Sequence, residues 1–163
     1  MIKAGTDRII VYCDGACSGN QFAENAGGWG ALLQYFHDGK LVKTNELLGG
    51  EANTTNNRME LTACLKALAA IKKKSISVEV YTDSAYLSNC INQRWFENWE
   101  QNGWLNKNKK PVENRDLWTR LLKQMRGFAV IRFFKVRGHA DDPLNKRADW
   151  LANQGLKEIA GRV

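Results

Sequence analysis

A mixed five-stranded α/β sheet with helices on both faces is the fold class this sequence predicts. Three observations lead there. Three strand-like runs come first with no helical segment between them, which suits an antiparallel meander. Two later strand-like runs are each reached through helical segments, which suits parallel strands added by crossover. The helical segments repeat their apolar residues at spacings of three and four, leaving one face of each to be buried.

The elements follow in order. Arg8 to Cys13 (RIIVYC) is a β-branched and aromatic run, ended by Asp14-Gly15 as a strand gives way to a turn. Gly27 to Phe36 and Leu41 to Leu48 read as two further strands, joined as a hairpin around Asp38-Gly39. Asn56 or Asn57 can cap a helix running to about Lys73, with Leu61, Leu65, Leu68 and Ile71 as its stripe. Ser77 to Thr82 is a short strand, and Asp83-Ser84 opens the next helix. Polar, Trp-bearing sequence runs from Gln93 to Pro111, followed by a helix around Asp116 to Arg126 and a strand from Val130 to Val136. Pro143 suits the first turn of a last helix, with Ala148, Leu151, Ala152, Gly155 and Ile159 facing inward.

The 163 residues hold no repeat, low-complexity tract or linker, so one domain over 1–163 is expected, with its core from about Arg8 to Glu158. No apolar run nears the roughly 20 residues that span a bilayer, and Met1 to Thr6 lacks the apolar stretch of a signal peptide. A cytoplasmic protein with no membrane partner is the expectation. The formal charge is +7, from 24 Lys and Arg against 17 Asp and Glu. That excess favours polyanions through phosphate contact, although charge alone is a weak pointer. The cysteines (Cys13, Cys17, Cys64, Cys90) form no C-x-x-C pair and the only histidines are His37 and His139, a poor set for structural zinc. They read as small buried groups in a reducing compartment.

Four acids stand where chemistry could use them. Asp14 and Asp83 each follow a short apolar strand, so parallel neighbouring strands would place both at one sheet edge, where open α/β sheets put their sites. Taken singly, Asp14 equally suits a turn and Asp83 a helix N-cap. Glu60 lies early in an otherwise apolar helix, with the small residues Ala63 and Cys64 three and four positions on, which leaves its carboxylate close to the sheet. Favourable placement near a helix N-terminus is its plainer reading. Asp149 adjoins the inner stripe of the last helix, and its plainer reading is a solvated acid beside Lys146 and Arg147.

Five blocks join these acids: Asp14-Gly15-Ala16-Cys17-Ser18-Gly19-Asn20, Thr54-Thr55-Asn56-Asn57-Arg58-Met59-Glu60-Leu61, Thr82-Asp83-Ser84, Gly138-His139-Ala140 and Asn145-Lys146-Arg147-Ala148-Asp149. In order and separation they resemble type 1 ribonuclease H from about Arg8 to Leu156. The resemblance implies the ribonuclease H-like fold and an endonuclease that hydrolyses the RNA strand of RNA/DNA hybrids, leaving 5′-phosphate and 3′-hydroxyl ends. It makes Asp14, Glu60, Asp83 and Asp149 the catalytic, metal-holding carboxylates, and His139 an auxiliary residue for proton movement or product release. Two Mg²⁺ ions are implied, with Mn²⁺ able to substitute, because hard cations flanking a phosphodiester supply nucleophile, charge relief and leaving-group stabilisation together. Four crowded carboxylates should repel, raising at least one pKa without metal.

The hybrid itself would be recognised by groups that both donate and accept, since 2′-hydroxyls line the minor groove of an A-like helix. By the resemblance these are Asn20, Asn56 and Asn57, with backbone near Gly15 and Cys17. Asn56 and Asn57 also suit plain helix capping. Thr55 resembles part of a pocket for a DNA phosphate. Trp95, Trp99, Trp104 and Trp118 interleave with Arg94, Lys107, Lys109 and Lys110, as rings on sugars and cations on phosphates would require. The spacing of Trp95 and Trp99 equally suits a helix packed on the core. A split is expected, with Trp118 buried and Trp95 and Trp99 partly exposed beside the DNA strand. Departures from the family pattern are Glu100-Gln101-Asn102 in place of a basic cluster, Asn53 ahead of the Thr54-Thr55 run, Ala85 after Ser84, and a longer, proline-free loop from Gln21 to Asn25. These bear on affinity and cutting preference.

Two other classes compete: a hybrid-binding module of the same fold with weak or lost catalysis, and a related polynucleotidyl transferase such as an integrase or junction resolvase. The intact acids argue against the first and the Thr54-to-Leu61 block against the second. A free-standing monomer is expected, and a domain cut from a polyprotein is the other possibility.

Overall fold

The computed structural model describes residues 7–18, 25–136 and 142–161. The chain forms β1 (Asp7–Cys17), β2 (Ala26–His37), β3 (Lys40–Ala52), α1 (Asn56–Ala70), β4 (Ser77–Thr82), α2 (Ala85–Asn92), α3 (Trp95–Asn102), α4 (Arg115–Arg126), β5 (Val130–Lys135) and α5 (Pro143–Ala160). The five described strands make one sheet in the order β3-β2-β1-β4-β5. β1, β2 and β3 pair antiparallel, and β4 and β5 add in parallel, as the sequence predicts. No described helix is long and apolar enough to cross a membrane.

The hairpin between β2 and β3 turns on Asp38 and Gly39, with φ of 50° and 78°. Two left-handed residues are what a two-residue turn needs to follow the twist of its strands. On one sheet face α1 and α4 bury the main core, where Leu61, Leu65, Leu68, Trp118 and Leu121 meet Val11, Val78 and Val80. On the other, Ala148 and Leu151 of α5 pack on Tyr12 and Leu32. Trp118 is wholly buried, and its Nε1 donates to the Tyr86 hydroxyl at 2.7 Å, which satisfies the one polar group the indole carries inward.

Three local expectations are corrected. β1 does not end in a turn at Asp14-Gly15; it runs on to Cys17, paired with Gly27 to Gly30 of β2. Gly15 is required because α1 lies against the strand there: a Cβ would sit 2.8 Å from Glu60 N and from Met59 Cβ. The cap of α1 is Thr55, whose hydroxyl accepts from Arg58 N at 3.2 Å, and not Asn56 or Asn57. Both asparagine side chains are thereby left exposed. The helix also stops at Ala70, before Lys73, since the chain turns extended at Ile71, which stays buried. Within the Trp-bearing segment a two-turn helix, α3, is entered through left-handed Arg94 and left through left-handed Gly103.

Candidate active site

The parallel register of β1 and β4 builds the site. Cys13 pairs with Thr82, so the next residue on each strand, Asp14 and Asp83, leaves the shared edge side by side. Glu60 reaches the same point from α1, pressed against Gly15, and the three carboxylates offer oxygens that all lie within 4.8 Å of one another. Asp149 approaches from α5. It lies outside that close trio but lines the same depression, about 420 Å³ in volume, together with Gly15, Asn56, Asn57 and Ser84.

Burial grades the four. Asp14 and Glu60 are 4% and 2% exposed, Asp83 is half-buried, and Asp149 is exposed. Burial pushes the Asp14 carboxyl up to about 7; the charges of Asp83 and Asp149 add to the rise, and contacts from Glu60 and the Gly15 amide oppose it. Burial, then the Asp14 charge, holds Glu60 well above the usual carboxylate range. Desolvation thus outweighs the repulsion that the sequence alone suggests. Gly15 N donates to Asp14 Oδ1 at 2.8 Å, whereas Glu60 Oε2 is buried with no hydrogen-bond partner among the described residues. An orphaned carboxylate oxygen inside an all-oxygen acidic trio fits a hard divalent cation such as Mg²⁺.

The predicted binding residues divide. Gly15, Asn56 and Asn57 reach the depression. Cys17 does not line it; its thiol donates to Thr54 O at 3.8 Å, and Thr55 serves the helix cap. Trp95 and Trp99 line a separate groove with Lys107, and stack edge-on at a centroid distance of 6.5 Å. Trp95 is exposed, Trp99 partly so, and Trp118 buried, the split the sequence predicts. Glu100, which departs from the basic cluster of the family pattern, is held in a two-pronged pair by Arg126. Asn20 and His139 lie outside the described residues.

Sequence reasoning missed Tyr86 and Tyr12. Tyr86 lines the acidic depression while its hydroxyl accepts from Trp118 Nε1 and from Asn114 Nδ2 at 3.3 Å. Its position in the first turn of the helix after Asp83 was a usable signal. Tyr12 had none, because its partner is 130 residues away: its hydroxyl donates to Asp142 Oδ2 at 3.0 Å. Asp142 in turn caps α5, accepting from Leu144 N and Asn145 N. Burial, then the Asp142 carboxylate, pushes the Tyr12 hydroxyl well up, so it remains a donor at neutral pH. Tyr12→Phe is expected to lower Tm by about 2–4 °C, the loss of one partly buried hydrogen bond. Calorimetry checks this; an unchanged Tm would mean the bond does not anchor α5.

The RNase H family model matches residues 6–157. A protein named ribonuclease H from Syntrophomonas wolfei subsp. wolfei is 48% identical over 151 residues, covering 93% of this chain and 97% of its own. One of the same name from Chlorobium limicola is 48% identical over 150 residues, covering 92% and 96%. Among solved structures, a type 1 RNase H with the type 2 active-site motif superposes with a TM-score of 0.82 at 34% identity, over 96% of this chain and 75% of that one.

Proposed function

The chain belongs to the ribonuclease H family, and from that premise we propose how its own residues cut the RNA strand of RNA/DNA hybrids. The enzyme is a hybrid endoribonuclease. Asp14, Glu60, Asp83 and Asp149 would hold two Mg²⁺ ions, or Mn²⁺ in their place, and the products would carry 5′-phosphate and 3′-hydroxyl ends. The observation behind this is the convergence of three carboxylates from β1, α1 and β4 within 4.8 Å, two of them buried. Divalent cations held by these carboxylates would supply a nucleophilic water and neutralise charge at the scissile phosphate.

The remaining work falls to the protein. Burial favours the protonated form of the Asp14 and Glu60 pair without a cation, so holding one there would be accompanied by proton release. Asn56 and Asn57, freed from capping and exposed beside the acids, can donate to and accept from 2′-hydroxyls in the minor groove. Gly15 and Cys17 contribute backbone to the same contact, and Asn20 joins them. Thr55 stands at the start of α1, where a helix N-terminus favours a phosphate of the DNA strand. Trp95 and Trp99, with Lys107, form the surface for the rest of that strand. His139 would act as the auxiliary group, more weakly than any carboxylate. The protein would work as a cytoplasmic monomer.

The test is a panel of labelled RNA/DNA hybrid, RNA duplex, DNA duplex and single-stranded RNA, with Mg²⁺ or EDTA. The expected result is cleavage of the hybrid's RNA strand alone, and only with Mg²⁺. Binding without cutting would leave a hybrid-binding module, and cleavage of a labelled four-way DNA junction run beside the panel would point to the related transferases.

A further inference from the structure

The segment assigned to hybrid contact, Thr55 to Asn57, enters α1 directly from Thr54, and Thr54 is gripped from the side by Asn25. Asn25 Nδ2 donates to Thr54 O at 2.7 Å, and Thr54 N donates to Asn25 Oδ1 at 3.1 Å. Asn53 N donates to Asn25 O at 2.9 Å. The ladder of β2 and β3 ends at the pair Ala26 and Ala52, and Asn53 then adopts a left-handed φ of 54° that turns the chain away. Thr54 therefore cannot find a strand partner. One carboxamide replaces it, presenting donor and acceptor side by side as a peptide group would.

The same side chain also reaches β1. Asn25 Nδ2 donates to Cys17 Sγ at 3.5 Å, and Cys17 Sγ donates to Thr54 O at 3.8 Å. Just beside it, Ser18 N donates to Ala26 O at 2.9 Å and Ala26 N donates to Ser18 Oγ at 3.0 Å. Thus the end of β1, the start of β2 and the approach to α1 meet on Asn25. Thr54 is 5% exposed, so its amide and carbonyl have no ready exchange for water if the clamp is lost.

We propose that Asn25 is a positioning residue for substrate binding: its carboxamide fixes where Thr55, Asn56 and Asn57 stand relative to Gly15 and Cys17. The proposal rests on the assignment of those residues to the hybrid. Asn25 makes no hydrogen bond to the four acids among the described residues, so its role belongs to binding and not to the bond-breaking step. A contact segment displaced by even 1 Å loses much of its pairing with a rigid duplex.

Steady-state kinetics on labelled RNA/DNA hybrid, together with amide hydrogen exchange at residues 54–58, test this in the full chain. Asn25→Ala is expected to raise KM about 3–10-fold, which is roughly 0.7–1.4 kcal/mol, with kcat within about twofold. Asn25→Asp has nearly the same volume and keeps the acceptor for Thr54 N, but sets a carboxylate oxygen against Thr54 O. It should raise KM at least as much, and it decides the matter if the alanine variant does not fold. Both variants should exchange the Thr54 amide faster than wild type. An unchanged KM in the folded variants, or a fall in kcat at fixed KM, would overturn the proposal. Failure of the wild type to cut hybrid would instead sink the assigned function; the exchange data would still judge the clamp, and unaltered protection at Thr54 would overturn it.

Discussion

Asp14→Asn is expected to slow hybrid cleavage on the order of 10³-fold or more, yet to melt at a higher temperature than wild type when both are free of metal. The first effect is the loss of a charged oxygen from the trio that meets within 4.8 Å. The second follows from burial. In the folded chain the Asp14 carboxyl sits at about 7, against an ordinary value of 3.8. The native state therefore binds more protons than the unfolded state between those limits, and its stability falls as pH rises through them. Protonated Asp14 is tolerated below about pH 4; ionised, buried Asp14 is fully costly above about pH 7. Asparagine carries no charge at any pH, so the variant escapes this loss. The advantage should be about 1–2 kcal/mol at pH 8, or roughly 2–8 °C in Tm, and should shrink toward pH 4. Scanning calorimetry in EDTA from pH 4 to 9 measures it. Saturating Mg²⁺ should narrow the gap by stabilising wild type selectively. A variant that cut hybrid at near wild-type rate would remove Asp14 from the metal-holding set.

Gly155→Ala is expected to be among the most damaging single-methyl changes in the chain. α5 crosses the sheet on a track of glycines. A Cβ at Gly155 would stand 2.0 Å from Gly49 O, one at Gly28 would stand 2.0 Å from Ala152 O, and one at Gly30 2.6 Å from Ala152 N. These obstacles are backbone atoms and cannot swing aside, so the helix must lift. The cost should reach about 3 kcal/mol or more, with Tm lower by roughly 6–12 °C. Because α5 carries Asp149, activity should drop more than tenfold even below the melting transition. Gly39→Ala is the matched control. Its φ of 78° makes alanine strained, but nothing lies within 4 Å, so a loss of about 1 kcal/mol with normal kcat is expected. Equal effects at Gly155 and Gly39 would contradict the close-packed track.

These two cases mark how far the sequence could be read. Local patterns suffice for some elements: Ser77 to Thr82 is β4 to the residue, and Leu61, Leu65, Leu68 and Ile71 are all buried. Gly155 was placed on the inner face of its helix, but the reason it must be glycine depends on Gly28, Gly30 and Gly49, more than 100 positions earlier, and no periodicity reports that. Likewise β1 continues past Asp14 only because β2 presents Gly27 to Gly30 opposite it. Thr55 displaced Asn56 and Asn57 as the cap, a choice among neighbouring residues of similar propensity that local rules do not make. At the site, the acids were legible as motif blocks. That burial would govern Asp14 more than repulsion was not, because desolvation depends on how tightly α1 closes over Gly15. Asn25 and Tyr12 escaped for the same reason, each acting through a partner remote in the chain.

The claim on which all of this turns is that the acids from β1, α1 and β4 hold divalent cations in common. A crystal soaked in Mn²⁺ and recorded for anomalous scattering tests it most directly. The expected map has a Mn²⁺ peak about 2.1 Å from carboxylate oxygens of Asp14, Glu60 and Asp83, absent from the Asp14→Asn crystal. A saturating soak with no peak among those three side chains, or with the peak unchanged in the variant, would contradict it.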